Sequence, residues 1–181
     1  MRISSLAVFC GSKSGNNPMF EEQARELGGL LARANVTLIY GGGNKGIMGA
    51  VANAMLEKGG AVIGIIPKAL TEWEHHHEGI TELIVVDSMH TRKLMLYDKC
   101  DAALILPGGY GTLDELFEML TWNQLSIHDK KIFILNTAGF YNHLIAHIIH
   151  MQTENFLYDK IEDKIVVLDT VDEMLAHLRK Q

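Results

Sequence analysis

The chain has 181 residues, 48% of them hydrophobic, with 16 basic and 22 acidic side chains and a formal net charge of −6. That length suits one domain over residues 1–181 with a sizeable core, and the acidic balance argues against a nucleic-acid-binding surface. No apolar run approaches the ~20 residues of a membrane span, the start reads as lacking a signal peptide, and Cys10 and Cys100 read as free buried thiols of a cytoplasmic protein.

From the N-terminus, residues 6–9 form a short apolar strand. Pro18 suits the first turn of a helix capped by Asn17, and helical spacing runs on to Ala34. Residues 37–40 are a β-branched strand, 41–46 a glycine turn, and 47–58 a second helix ended by Gly59-Gly60. Residues 61–66 read as a strand stopped by Pro67, and 83–86 as another. A short helix, 91–99, leads into strand 102–106, then a glycine-rich turn at 107–112 and an amphipathic helix at 113–125. Strand 132–135, helix 141–154, strand 165–168 and helix 171–180 complete the series.

Short strands that are apolar on both faces, alternating with helices, predict an α/β fold with a parallel sheet and helices on both faces, three layers in all. Ligands of such folds bind beyond the C-terminal ends of the strands. Three polar or glycine-rich turns fall there, at residues 10–17, 41–46 and 107–112. Residues 68–79 lack periodicity, carry Trp73, three histidines and three glutamates, and read as a lid.

The most informative stretch is Pro107-Gly108-Gly109-Tyr110-Gly111-Thr112-Leu113-Asp114-Glu115. Its glycines let backbone N–H groups approach a ligand, and a helix N-terminus supplies unpaired donors and a positive dipole end that favour phosphate. Glu115, one turn into that helix, puts a carboxylate beside the anion site, which a simple phosphate binder has no use for. Gly41-Gly42-Gly43-Asn44-Lys45-Gly46 satisfies G-x-G-x-x-G. The next strand ends Ile65-Ile66-Pro67 with no acid at its tip, so the loop reads as nucleotide-facing but not as an NAD site, with a tight packing turn as the alternative. No Walker A sequence is present.

His90-Thr91-Arg92-Lys93 opens a helix. Arg92 can fork onto phosphate or ribose oxygens and Lys93 can add a point charge; the alternative is an exposed basic pair, which the helix dipole disfavours. His75-His76-His77 reads as a structural or lid element, because adjacent residues of a regular element do not converge on one ion. His143, His147 and His150 share one helical face and read as the polar flank of a packed helix. Met89, Met95, Met119 and Met151 read first as core or interface filler.

With these residues in view, the chain resembles the LOG family, cytokinin riboside 5′-monophosphate phosphoribohydrolases often labelled lysine decarboxylase-like. The resemblance runs over nearly the whole length. It is carried by Val8-Phe9-Cys10-Gly11-Ser12, Tyr40-Gly41-Gly42-Gly43 with Gly46-Ile47-Met48-Gly49, and Met89-His90-x-Arg92-Lys93. Pro107 through Glu115 and Thr121-Trp122-x-Gln124-Leu125 complete it, and Arg-Lys followed by PGGxGTxxE is its most specific part. Asp114 stands where many members have Glu, and Asn44-Lys45 replaces commoner small residues.

The resemblance implies a modified Rossmann-like fold, a homodimer with sites near the interface, and cleavage of the N-glycosidic bond of an adenosine-type monophosphate. It places Arg92 and Glu115 on the catalytic pair and the glycine loop on the phosphate. Gly108, Gly109, Tyr110, Gly111 and Thr112 are expected to hold the 5′-phosphate, with Lys93, Asp114 and Thr121 contributing, Ser12 and Gly43 lining the other wall, and Glu74 and Met89 at the lid and base side. No metal or cofactor is called for. A decarboxylase would need pyridoxal phosphate on a lysine, and no lysine stands in such a context. At the start of a helix, Glu115 is expected to be held as an anion that stabilises an oxocarbenium-like sugar. Two other readings stay open: a general purine monophosphate nucleosidase, and a non-catalytic binder of AMP-type nucleotides.

Overall fold

The computed structural model describes residues 2–71 and 76–178, and all seven strands expected from the sequence pair in parallel in one sheet. In chain order the elements begin with β1 (Ser5–Phe9), α1 (Met19–Arg33), β2 (Thr37–Tyr40), α2 (Gly46–Glu57), β3 (Val62–Pro67), the single turn α3 (Lys68–Thr71) and β4 (Glu82–Val86). They continue with α4 (Met89–Asp98), β5 (Ala102–Ile105), α5 (Tyr110–Gln124), β6 (Lys131–Leu135), a 3₁₀ turn (Thr137–Gly139), α6 (Asn142–Thr153), α7 (Ile161–Lys164), β7 (Ile165–Leu168) and α8 (Val171–Leu178).

The spatial order is β4-β3-β2-β1-β5-β6-β7. The chain builds outward from β1 to β4, then α4 carries it back to lay β5 on the other side of β1. That reversal leaves a crevice above the carboxyl ends of β1 and β5, where open parallel sheets bind their ligands.

Period-two alternation sorts each strand between two cores. Leu6, Leu38, Tyr40, Leu104 and Phe133 pack beneath Leu27, Leu31, Val51, Met55 and Met174 of α1, α2 and α8. Ala7, Ile39, Ile105, Ile132 and Ile134 face Leu96, Leu116, Met119 and Ile148 of α4, α5 and α6. Each fully buried Leu or Ile contributes roughly 1.5–3 kcal/mol, which holds the loops at the crevice on a rigid frame.

Most boundaries fall within a residue or two of the sequence expectation, and the shifts at α4 and α5 matter for the site. α5 begins at Tyr110, three residues early, because Gly111 and Thr112 accept helical backbone angles once Gly109 has made the turn. α4 begins at Met89, where Ser88 caps it by accepting the Thr91 N–H at 3.1 Å. β3 runs through Pro67, which pairs with Val86. Beyond Gly64 that strand has a neighbour on one side only, so a residue without an N–H is tolerated.

The histidine run is partly resolved into a structural role. His76 bridges to Gly43, the His77 N–H donates to Gly42 O at 2.9 Å, and the ring of His77 lies 2.8 Å from Asn53 Oδ1 of α2. Gly79 N–H donates to His77 Nδ1 at 3.1 Å, so Nε2 carries the proton and donates to Asn53. Trp73 and Glu74, on which the lid reading rested, lie outside the described residues.

Candidate active site

The two loops at the β1–β5 crevice are stitched to each other by backbone bonds. Leu106 N–H donates to Phe9 O and Gly11 N–H to Pro107 O, both at 3.0 Å, while Tyr141 Oη donates to Leu106 O at 2.7 Å from below. A Cβ at Gly108 would stand 2.7 Å from Thr112 Cβ and 3.0 Å from Gly11 N, so only glycine lets the loops close this tightly.

Above them opens a cavity of about 370 Å³. Cys10 and Ser12 line it from the end of β1, and Gly41 and Met48 from the loop and helix after β2. Met89, Arg92 and Lys93 come from α4, and Gly109 through Thr112 with Asp114 and Glu115 from α5. Gly109 caps α5 with no side-chain hydrogen bond, and no acidic side chain occupies the first turn. The leading N–H groups of this 15-residue helix thus border the cavity as unclaimed anion donors.

Arg92 is only 7% exposed, yet its guanidinium is weakly committed. Nη2 reaches Gly41 O at 3.4 Å, Nη1 lies 3.9 Å from Met89 Sδ, and Nε has no partner. A Cβ at Gly41 would overlap Nη2, so that glycine clears the space in which the guanidinium lies. Glu115 faces the same cavity from the second turn of α5, not the first. Burial pushes its carboxyl up to about 7, against the opposing pull of Arg92 and the further push of Asp114. The expectation of a dipole-stabilised anion is therefore corrected: the helix starts earlier than the pattern indicated, and burial outweighs what remains of the dipole.

Lys93 lines the cavity and is also paired across it. Its ammonium lies 2.8 Å from Asp114 Oδ2 and 3.3 Å from Glu118 Oε1, an internal ion pair between α4 and α5. Burial lowers its pKa, but the hydrogen bond and charge of these carboxylates more than offset that, and the net shift is upward.

Of the other expected site residues, Ser12, Met89, Gly109, Tyr110, Gly111, Thr112 and Asp114 meet at the cavity. Gly108 instead borders a neighbouring recess of about 250 Å³, and Gly43 is taken up by its bridge to His76. Thr121 is three turns along α5, donates to Phe117 O at 2.7 Å, and lines a separate cavity with Ile148 and Leu157. The side chain next to it, Trp122, packs edge-on to Tyr97 at 4.9 Å, so this part of the motif joins α5 to α4. Glu74 lies outside the described residues. Sequence reasoning passed over Cys10 and Met48 as wall residues; their place at the end of β1 and the start of α2 was the available signal. Burial, and then the charge of Glu115, push the Cys10 thiol up, so it is no thiolate nucleophile. Among the described residues no group of three His, Cys, Asp or Glu side chains is placed to hold a metal ion, and none of the helices is long and apolar enough to cross a membrane.

Residues 48–178 match the family model described as "possible lysine decarboxylase". Over 179 residues the chain is 42% identical to a cytokinin riboside 5′-monophosphate phosphoribohydrolase of Arabidopsis thaliana, covering 99% of this chain and 83% of that protein. The chain belongs to the LOG family. A bacterial LOG relative, the cytokinin riboside 5′-monophosphate phosphoribohydrolase of Rhodococcoides fascians, is 39% identical over 97% of this chain and 89% of its own. Among solved structures, the molybdenum cofactor binding protein of Rippkaea orientalis superposes with a TM-score of 0.74 at 22% identity, covering 99% of this chain and 97% of that one. The molybdenum cofactor carrier protein of Chlamydomonas reinhardtii does so at 0.72 and 20%, covering 98% and 96%. These two share the LOG fold with this chain; at such identities they speak for the fold alone.

Proposed function

We propose that this LOG-family protein hydrolyses the N-glycosidic bond of adenosine-type 5′-monophosphates, N6-modified ones included, to the free base and ribose 5-phosphate. The observation that carries the reading is the convergence of Arg92 and Glu115 in one cavity walled by the N-terminus of α5. The leading N–H groups of α5 and the Thr112 hydroxyl would take the 5′-phosphate, and that remote binding energy would hold the reacting bond in place.

Breaking the ribose–base bond builds positive charge on the sugar. In its ionised form Glu115 stabilises that charge and takes a proton from the attacking water, while solvent supplies the proton to the nitrogen of the departing base. A carboxyl poised near 7 is well matched to exchanging that proton at neutral pH. Arg92 stays charged, so it serves as an electrostatic partner for ribose oxygens and the departing purine, not as a proton donor. A site that only bound nucleotide would gain nothing from a half-buried carboxyl near the phosphate.

The protein is further proposed to act as a homodimer. Leu94 of α4 and Leu125 and Ile127 beyond α5 are at least half exposed, and Met89 and Phe117 add to the apolar surface of the same two helices. Sedimentation velocity tests this: a monomer at micromolar concentration would end the dimer proposal.

The activity is tested by incubating the protein with AMP and with N6-isopentenyl-AMP and following free base and ribose 5-phosphate. Release from the modified nucleotide at the higher kcat/KM supports the proposed cytokinin-type substrate, and a preference for AMP would move the protein to purine salvage. No release from either rejects the hydrolase.

A further inference from the structure

We infer that Lys93 is a positioning residue: it braces α4 against α5 so that the neighbouring residues Arg92 and Glu115 face the cavity at a fixed separation. The inference rests on the hydrolase reading for its kinetic readout, and on geometry for the rest.

The brace and the proposed catalytic pair are built from adjacent residues. Arg92 and Lys93 are consecutive on α4, and Asp114 and Glu115 are consecutive on α5. The Lys93 ammonium lies between two carboxylates four residues apart on one face of α5, Asp114 at 2.8 Å and Glu118 at 3.3 Å. Its side chain is 17% exposed, so the pair is shielded more than a surface salt bridge is. Arg92 makes no comparable tie of its own to α5; its contacts go to Gly41 after β2 and to Met89 one turn back. The apolar packing between these helices, Leu96 with Leu116 and Met119 in one core and Tyr97 against Trp122, comes from residues further along α4. Lys93 therefore holds the end of α4 that carries the guanidinium.

The alternative is that Lys93 holds the 5′-phosphate, as its sequence position suggests. One cation between two carboxylates leaves a net negative patch, which repels a phosphate dianion. The two roles also predict opposite consequences for Asp114. A brace loses its partner when Asp114 is neutralised, so turnover falls. A phosphate ligand is freed by the same change, so the monophosphate binds more tightly.

The test is steady-state kinetics on N6-isopentenyl-AMP with Lys93→Met, Asp114→Asn, the double variant and Lys93→Arg. The brace predicts that each of the first two lowers kcat about tenfold with KM within about twofold of wild type, a loss of the size that small misplacements produce. It predicts that the double variant is no worse than Lys93→Met, because that change alone removes both halves of the tie, and that Lys93→Arg recovers most of the rate. A lower KM in Asp114→Asn, a raised KM with unchanged kcat in Lys93→Met, or fully additive losses would overturn it. Asp114 is 59% exposed, so its neutralisation leaves the fold intact. If wild type turns over no nucleotide, the hydrolase reading fails and the brace is judged by hydrogen exchange instead. Lys93→Met and Asp114→Asn must then both speed exchange of the amides around Arg92, and unchanged exchange overturns the brace.

Discussion

At Glu115 the helix dipole and burial act in opposite directions, and burial prevails, lifting the carboxyl to about 7 while Arg92 and Lys93 pull it back only in part. If the ionised form does the work, kcat/KM falls as pH drops below 7, and Glu115→Gln loses about 10²–10⁴-fold together with that pH limb. A pH–rate profile checks this: a limb that survives in Glu115→Gln belongs to another group. The partner residue depends on a glycine. Because a Cβ at Gly41 would overlap the Arg92 guanidinium, Gly41→Ala is expected to displace it and cost about 10²-fold in kcat/KM with little change in the far-UV circular dichroism. That Arg92 and Glu115 share one crevice was legible because a basic pair and a PGGxGTxxE turn are local patterns. Their protonation and commitments were not, since the pKa of Glu115 depends on what covers it and the occupation of Lys93 on a helix twenty residues away. Thr121 misled for the same reason: it is contiguous with the motif in sequence, but three turns of α5 carry it to another cavity.

The start of α5 decides both where its leading N–H groups lie and which turn carries Glu115. The amphipathic pattern placed its beginning at Leu113 because glycines read as turn; the helix begins at Tyr110 and so brings its leading N–H groups to the cavity wall. The strands were legible almost to the residue, since each is a short apolar run between breakers, whereas α3, α7 and the 3₁₀ turn are too short to show a period. The turn that launches α5 is expected to be intolerant of side chains. In Gly108→Ala the new Cβ meets Thr112 and the Gly11 backbone, which forces the turn before α5 away from the β1 loop. The proposed role of the loop then predicts a selective loss: kcat/KM for the 5′-monophosphate falls about tenfold or more, while the slow hydrolysis of the unphosphorylated nucleoside changes little. Equal losses on both substrates would show that the turn supports the whole site and has no special part in phosphate recognition.

For the whole molecule, the sheet order that opens the crevice also buries titratable groups with opposite effects on stability. The carboxyl of Glu115 is raised from its ordinary 4.5 to about 7, so its contribution to stability is fully present below pH 4.5 and is lost as pH rises through 7. Burial lowers His77 and His128 below the ordinary 6.5; their contribution is full above 6.5 and is lost as pH falls through their folded values. Between pH 4.5 and 6.5 the two trends oppose each other, so the wild-type stability curve is expected to be shallow there. Glu115→Gln removes one side of the balance. At pH 8 the variant no longer carries a half-buried charge and should be more stable than wild type by on the order of 1–3 kcal/mol. The gain shrinks through pH 7 and disappears below 4.5, where wild-type Glu115 is protonated in both the folded and unfolded chain. The variant's own stability then falls as pH drops below 6.5, because the histidine effect is no longer masked. Urea denaturation of both proteins at pH 8, 6 and 4.5 measures this directly. A variant less stable than wild type at pH 8 would mean that ionised Glu115 is held by Arg92 and Lys93 more strongly than burial opposes it, and its carboxyl would then be an ordinary anion at neutral pH.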